Sequence, residues 1–369
     1  MRDHQNVRKI LIVRNGLVGD TVFVTPVLRR LRDNFPDAVL DFAASNKSVP
    51  LMKDVPLVDD VFPIPADYSV ASHSRFFLGL RKRRYDVVVI QEVNSHYAAM
   101  ATLTGGKFLV GFQNSLGFLL DYFVPRPHGV HAALAELETV NGWTTQMTPP
   151  ATELAVSNEE MMLGRDILAS SGIESFANLV CIHPACSSPN SDKDWKVEYF
   201  AEVADLLIRD LKVDIIFEGI GSEREMIDTI RSKMKFPAVT LAGKTNLRQV
   251  LGVLKACRLV IGPDTGTMHL ANAVGTPVVM LFGRTDPIDT GPFDCTGRSK
   301  FVRVDLPCIG CVHRTPVPDQ WEICKNIRPV YCMEQLFPQI VYDAAVEALT
   351  GQTRPDTFES KRRGAHQAE

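Results

Sequence analysis

The turn Gly262-Pro263-Asp264-Thr265-Gly266-Thr267-Met268-His269 is the part of this 369-residue chain richest in groups able to do chemistry. It joins the apolar run Leu259 to Ile261 to a helical stretch from Thr267 to Val274. Gly266 and Thr267 would present backbone N–H groups at a helix start, a ready site for phosphate. Asp264 or Thr265 could serve simply as a helix cap, but a cap needs one polar residue. The crowding of Asp264, Thr265, Thr267 and His269 into one turn favours a ligand site. An earlier turn, Arg14-Asn15-Gly16-Leu17-Val18-Gly19-Asp20-Thr21, follows the first apolar run. It has neither the GxGxxG spacing of a dinucleotide fingerprint nor the GK[ST] of a P-loop. It offers instead a carboxylate, Asp20, near a helix start and beside a glycine that permits close approach. Asp20 is either a capping residue or, facing a cleft, a general base.

Two further loops add groups suited to a nucleotide. His183-Pro184-Ala185-Cys186-Ser187-Ser188 leads to Lys193-Asp194-Trp195-Lys196, so the hydroxyls of Ser187 and Ser188 and the Lys193 ammonium could meet a pyrophosphate from a second side. Glu223, just past Gly219-Ile220-Gly221, stands where acidic residues accept ribose hydroxyls, and equally where the helix dipole favours a first-turn Glu. Cys308, Cys311, Cys324 and Cys332 make a C-x2-C-x12-C-x7-C pattern in a Pro-rich segment, with His313 able to replace one of them. Four thiolates there would make a structural zinc site; free thiols are the alternative, since the second pair is not a CxxC. Cys181, Cys257 and Cys295 read as packing residues. Arg29-Arg30-Arg32 and Arg81-Lys82-Arg83-Arg84 read as solvated helix faces, or else as a patch for phosphates or a membrane face.

Placing these loops requires a repeated β-α grammar. Strand runs Ile10 to Val13, Val39 to Ala43, Val87 to Ile90 and Phe108 to Val110 alternate with helical stretches, the first carrying Val24, Val27, Leu28, Leu31 and Phe35 on one face before Pro36. Tyr122 to Pro150 reads as an irregular connection followed by a short helix, with the domain boundary soon after. The pattern restarts with strands Leu179 to Ile182, Val213 to Phe217, Val239 to Leu241, Leu259 to Ile261 and Val278 to Phe282. Between them lie helices marked by Tyr199 to Leu207, by Ser222 as a cap, and by Leu247 to Ala256 behind Asn246. A last helix is expected from Glu334 to Leu349. The expectation is an α/β protein of two doubly wound, Rossmann-like parallel-sheet domains, residues 1–172 and 173–350, with a polar tail, 351–369. A ligand would lie in the cleft at the carboxyl ends of both sheets.

Bulk composition agrees with this and narrows the partners. The chain is 45% apolar and 22% charged, which suits two soluble domains rather than a disordered tail or mini-protein. A net charge of -3 argues against nucleic acid as partner. No run approaches the roughly 18 apolar residues of a membrane span, and the opening run is too short for a secretory signal. A cytoplasmic location is expected, with any contact peripheral at the inner membrane.

The ordered set resembles glycosyltransferase family 9, which contains the ADP-heptose:lipopolysaccharide heptosyltransferases. The residues that carry it are Gly19-Asp20 with Thr25-Pro26, Lys193 with Trp195, Glu223, the Asp264 to His269 turn, Gly275-Thr276-Pro277, Phe282-Gly283 and Thr285-Asp286-Pro287. The resemblance runs from about residue 8 to 350 and implies a GT-B fold, with acceptor on the N-terminal side and sugar nucleotide on the C-terminal side. It implies Asp20 as base, Lys193 on the diphosphate, Glu223 on the ribose, and a main-chain group at Thr245 on the base. Asp264, Thr265, Gly266, Thr267 and His269 would hold donor phosphates and sugar hydroxyls. It further implies inversion in a single displacement without catalytic metal. Cys186 to Asn190 and a loop from Tyr68 to Phe77, where acceptor contacts are expected, match no family pattern. The leading expectation is transfer of heptose from ADP-heptose to a lipid-linked or free saccharide of the lipopolysaccharide core. The alternatives are a sugar-nucleotide epimerase of similar build and a non-catalytic nucleotide-sugar-binding protein.

Overall fold

A computed structural model describes residues 7–53, 55–184, 193–293, 297–311, 324 and 330–351. Ser187, Ser188, Cys186, Cys295, His313 and the expected tail from 352 onward lie outside the described residues.

Strands β1 (Lys9–Arg14), β2 (Val39–Ser45), β3 (Asp60–Ile64), β4 (Val87–Ile90), β5 (Phe108–Phe112) and β6 (Tyr122–Val124) form one six-stranded sheet in the order β3-β2-β1-β4-β5-β6. A second contains β7 (Leu179–Ile182), β8 (Asp214–Phe217), β9 (Val239–Thr240), β10 (Leu259–Pro263), β11 (Val278–Leu281) and β12 (Lys300–Val302), in the order β12-β11-β10-β7-β8-β9. Every pairing is parallel. Renumbered from its own first strand, the second sheet has the order of the first, so each is a doubly wound Rossmann-like sheet. The strand order reverses between β1 and β4, and between β7 and β10, which are the switch points where such sheets bind ligands. The loops holding Asp20, His183 and Asp264 leave strands at those points.

The helices of the first half are α1 (Val18–Val22), α2 (Thr25–Asn34), α3 (Val49–Met52), α4 (Val70–Leu80), α5 (Ser95–Thr102) and α6 (Ala132–Asn141). Then follow α7 (Asn158–Ser170), α8 (Val197–Leu211), α9 (Arg224–Lys233), α10 (Leu247–Ala256), α11 (Gly266–Ala273) and α12 (Pro287–Thr290). Two more, α13 (Tyr331–Glu334) and α14 (Pro338–Thr350), close the described chain.

Local sequence explains these elements. Ile10, Leu11, Ile12 and Val13 are all buried because β1 is central and covered on both faces, and a strand of that kind carries an uninterrupted apolar run. Val27, Leu28 and Leu31 give α2 its buried face. Asn246 caps α10 through its side chain, and Gln249 returns a bond to the Asn246 N–H, completing a capping box. Helix α7 crosses to pack on α10 at a glycine pair. A Cβ on Gly164 would lie 2.4 Å from the Gly252 carbonyl carbon, so neither position tolerates a side chain without movement. Arg248 of α10 locks the pair through Glu160 at 2.5 Å.

Several sequence expectations need correction. Ser222 does not cap α9; Gly221–Glu223 is a 3-10 turn, and the helix begins at Arg224. The expected helix from Glu334 is broken, because Pro338 cannot continue one and instead opens α14 at its first position. The supposed loop from Tyr68 to Phe77 is mostly α4, entered from Tyr68 in the left-handed region. The basic residues of α2 are not a solvated face: Arg29 pairs with Glu153 at 2.6 Å, and Arg32 with Asp59 at 2.9 Å. Arg30 is buried against Asn141 and Gln146.

Candidate functional site

The centre of the site is Asp264, which leaves the buried end of β10 and is itself only 4% exposed. Lys193 Nζ donates to its Oδ2 at 2.8 Å and to its main-chain oxygen at 2.9 Å. His269 Nε2 lies 3.1 Å from Oδ1, and Thr290 Oγ1 donates to Oδ2 at 3.3 Å. Burial pushes the Asp264 carboxyl up, but His269 and Lys193 outweigh it and hold the group far below the usual carboxylate range. A permanent anion therefore gathers a lysine and a histidine into the turn. The Lys193 segment is anchored by Trp195, which is buried against Phe200 and donates to the Leu336 oxygen at 2.7 Å. Thr290 is delivered by α12, whose cap Asp286 accepts the Ile288 N–H.

Thr265 occupies the N-cap position of α11 but makes no side-chain cap bond. Its Oγ1 is buried with no hydrogen-bond partner among the described residues. Hydroxyls in such surroundings are normally paired, so this one suits an oxygen brought by a ligand. Gly266 and Thr267 follow at the start of α11, where the first N–H groups have no partner within the helix.

The Asp20 turn meets this one directly. A Cβ on Gly19 would lie 3.0 Å from His269 Cδ2 and 3.7 Å from Gly266 Cα, so α1 and the start of α11 are in contact. Phe23, just beyond α1, packs edge-on against His269 with ring centroids 4.7 Å apart. Asp20 is the third residue of α1; its Oδ2 accepts the Leu17 N–H at 3.0 Å, and its side chain is 45% exposed. The capping role is thus real, and it leaves the carboxylate open to solvent.

Glu223 and Thr245 stand apart from Asp264, at the carboxyl side of β8 and β9. Glu223 Oε2 accepts the Ile220 N–H at 2.7 Å, and burial raises its carboxyl. Its loop lies against the turn before Thr245, with Gly243 N–H donating to the Gly219 oxygen at 2.8 Å. Thr245 is half-buried between that turn and Asn246. Behind Glu223, buried His183 pairs with Glu218 at 3.0 Å; burial disfavours the imidazolium, but Glu218 raises the ring above its ordinary value.

Sequence reasoning missed a second set of residues around Asp20. Arg14, at the end of β1, reaches Asp20 Oδ1 at 3.6 Å, Glu136 Oε1 at 3.5 Å and Glu92 Oε1 at 3.9 Å. It also donates to the Gln91 oxygen. Arg126 approaches the same Glu136 oxygen at 3.0 Å. Glu136 is fully buried, and burial lifts its carboxyl to about 7 against the pull of both arginines. Gly16 makes the arrangement feasible, since a Cβ there would fall 2.6 Å from Asp20 Cβ and 2.9 Å from Arg14 Nε. His131, the cap of α6, was also missed. It stacks on Phe293 and bonds the Gly291 oxygen at 2.9 Å, and burial lowers it to about 4.

Among the described residues no group of three or more His, Cys, Asp or Glu is arranged to hold a metal ion. Among the described residues no disulfide joins Cys308, Cys311, Cys324 or Cys332. Burial, followed by the neighbouring thiols of Cys311, Cys324 and Cys308, raises Cys332 to about 12. Cys181 and Cys257 are buried packing residues. No helix among the described residues is long and apolar enough to cross a membrane.

Comparison with known proteins gives the family. The chain is 25% identical over 299 residues to the lipopolysaccharide core heptosyltransferase OpsX of Haemophilus influenzae, covering 78% of this chain and 82% of that protein. A glycosyltransferase family 9 structure from Veillonella parvula superposes with a TM-score of 0.81 at 19% identity, over 94% of this chain and 98% of that one. The E. coli ADP-heptose lps heptosyltransferase II superposes with a TM-score of 0.73 at 21% identity, over 92% and 98% respectively. These likenesses share the two-sheet GT-B architecture. The family model for glycosyltransferase family 9 (heptosyltransferase) matches residues 73–322, so the chain belongs to that family and is a glycosyltransferase.

Proposed function

We propose that the protein transfers heptose from ADP-heptose to a saccharide of the lipopolysaccharide core, by a single inverting displacement with Asp20 as base. The observation that carries this reading is the contact of α1 with the start of α11, which sets an exposed carboxylate beside a turn equipped for a diphosphate. The names of the similar heptosyltransferases support the donor and acceptor classes. On this reading Lys193, Gly266 and Thr267 neutralise the leaving nucleoside diphosphate, while Thr265, Asp264 and His269 hold phosphate oxygens and sugar hydroxyls. Ser187 and Ser188 are assigned to the same diphosphate, Glu223 to the ribose and a main-chain group at Thr245 to the base. Asp20 takes the proton of the attacking hydroxyl on the opposite wall.

Acceptor duties fall to residues 1–172 and donor duties to 173–350, with α7 as the strap between them. Lysine and helix N–H groups suffice for the leaving group, so no catalytic metal is assigned. A structural zinc on Cys308, Cys311, Cys324 and Cys332 is a separate proposal, supported by their spacing in the sequence alone. The enzyme is assigned to the cytoplasm, with peripheral contact at the inner membrane where a lipid-linked acceptor is presented.

The test pairs two variants in a transfer assay with ADP-heptose and extracted core acceptor. Asp20→Asn is expected to abolish transfer while keeping nucleotide binding. Lys193→Ala is expected to weaken donor binding by about 10- to 100-fold, the worth of a hydrogen bond to a charged group. Unchanged turnover in Asp20→Asn removes the base assignment. Thermal-shift measurements with ADP-, GDP-, UDP- and dTDP-linked sugars test the donor, because a ligand of the folded state alone raises its stability. A response to another nucleotide sugar and none to ADP-heptose overturns that assignment.

A further inference from the structure

We propose that Glu136 is a positioning residue for the transfer reaction, acting on Asp20 through the shared guanidinium of Arg14. The inference rests on the assignment of Asp20 as base and extends it to residues that do not touch substrate.

Three features carry it. Glu136 sits on α6 and is fully buried, yet one of its oxygens, Oε2, has no hydrogen-bond partner among the described residues. Its other oxygen faces Arg14 Nη1 at 3.5 Å, while Nη2 of the same guanidinium faces Asp20 Oδ1 at 3.6 Å. Arg14 is itself nearly buried and Glu136 wholly so, so water does not screen their interaction, and how Arg14 divides itself between Glu136 and the exposed Asp20 depends on the charge of Glu136. A carboxylate that were only a structural partner would be expected to have both oxygens satisfied.

The remaining charged groups are accounted for. Glu92, after β4, accepts the Asn15 N–H at 2.7 Å and lies 3.9 Å from Arg14 Nε. Arg126, after β6, lies 3.0 Å from Glu136 Oε1. On α2, which also packs on α6, Arg29 and Arg30 are engaged by Glu153, Asn141 and Gln146, and Asp33 accepts from Thr148. His131, at the start of α6, is held by the Gly291 oxygen, and Glu138 accepts from Asn141. The local charge is therefore set by Arg14 and Arg126 against Asp20, Glu92 and Glu136. It balances when Glu136 carries a proton and is negative by one when it does not.

This gives Glu136 two states with different consequences for Asp20. Protonated, Glu136 makes little claim on Arg14, and the guanidinium is then drawn to Asp20, tying up the oxygen that must meet the acceptor hydroxyl. Ionised, Glu136 holds Arg14 back and leaves the Asp20 carboxylate free to face the acceptor. With the Glu136 carboxyl near 7, the change takes place around neutral pH. The linkage sign is opposite for stability. A carboxyl raised on folding stabilises the protein at low pH, and that contribution is lost as pH rises through its folded value.

The experiment is a pH profile of kcat and donor KM from pH 5.5 to 8.5 for the full-length enzyme and Glu136→Gln, with Glu136→Asp as the conservative variant. In the parent, kcat is expected to rise through a midpoint near 7. Glu136→Gln, fixed in the neutral form, is expected to lose that rise and to fall about tenfold in kcat at pH 8. Its donor KM stays as in the parent, and Glu136→Asp regains the rise. Thermal unfolding of Glu136→Gln is expected to lose less stability than the parent between pH 5.5 and 8.5. A Glu136→Gln enzyme with lowered stability but the parental kcat profile overturns the proposal. If the variant does not fold, a parental profile without a midpoint near neutrality overturns it equally. Loss of transfer in Asp20→Asn beside an unaltered Glu136→Gln profile would sink this inference alone, whereas transfer retained in Asp20→Asn would sink the base assignment beneath it.

Discussion

Replacing Thr265 by Val should stabilise the free protein and weaken its hold on the donor. The Thr265 hydroxyl is buried, makes no cap bond to α11 and has no other hydrogen-bond partner among the described residues. Leaving a buried polar group unpaired costs about 1–3 kcal/mol, so an isosteric methyl in its place is expected to raise ligand-free stability by about 1 kcal/mol. In the donor complex the hydroxyl gains a partner, and losing one hydrogen bond costs about 0.5–1.5 kcal/mol, or about 2- to 12-fold in Kd. The two effects oppose each other, which makes a crossing measurable. At a donor concentration of about 100 times the parental Kd, the parent gains about 2.7 kcal/mol, while a variant binding about tenfold more weakly gains about 1.4 kcal/mol. Urea unfolding with and without ADP-heptose should therefore show the variant ahead when free and level or behind when loaded. A variant that is less stable without ligand and binds the donor as tightly as the parent would refute the reasoning, since the hydroxyl would then be a structural partner.

Acid should weaken the junction around His131. Its ring is 9% exposed and falls from 6.5 to about 4 on folding, so the unfolded state binds the extra proton between those values. Stability is therefore lost as pH falls through that window, by roughly 3 kcal/mol if the shift is fully realised. His131→Asn keeps a capping side chain without the titration, and chemical unfolding at pH 4 and 7 should show a smaller difference for it than for the parent; an equal difference rules His131 out as the source. The four-cysteine segment is checked by elemental analysis of protein purified without chelator. About one equivalent of zinc, lost in Cys308→Ser, supports the structural site, and a metal-free protein of normal stability removes it.

Much of the fold was legible because central strands are buried on both faces. Ile10 to Val13, Val87 to Ile90 and Leu259 to Ile261 each appear as an uninterrupted apolar run for that reason. Edge strands carry no such signal. β3 contains Pro63 and is largely open to solvent, and β6 and β12 are three residues each. Helix α4 was hidden by Ser69, Ser72, His73 and Ser74, residues that favour turns but here lead into a helix whose buried face is His73, Phe77 and Leu80. The Asp264 turn was visible because its polar residues are neighbours in the chain. The Arg14 cluster was not, because Arg14, Glu92, Arg126 and Glu136 are brought together only by the order of β1, β4, β5 and β6. Glu136, within Ala132 to Asn141, resembles an ordinary solvated helix residue and proves fully buried.

The dimensions of α1 explain why two distant sets of residues bear on one carboxylate. A helix of five residues has no stability of its own, so its position is dictated by what it touches. On one side it is held by Arg14 and the carboxylates behind it; on the other it rests on α11 through Gly19, where even one methyl group would press on His269. His269 is in turn bonded to Asp264, and Asp264 to Lys193. Asp20 is thus joined to Asp264 and Lys193 of the proposed donor site by a short series of contacts. A change in how Asp264 shares its oxygens when a diphosphate draws on Lys193 would be felt at His269 and then at Gly19. The proposed base and donor phosphates consequently cannot be tuned independently, and substitutions on the donor wall should alter kcat as well as donor KM.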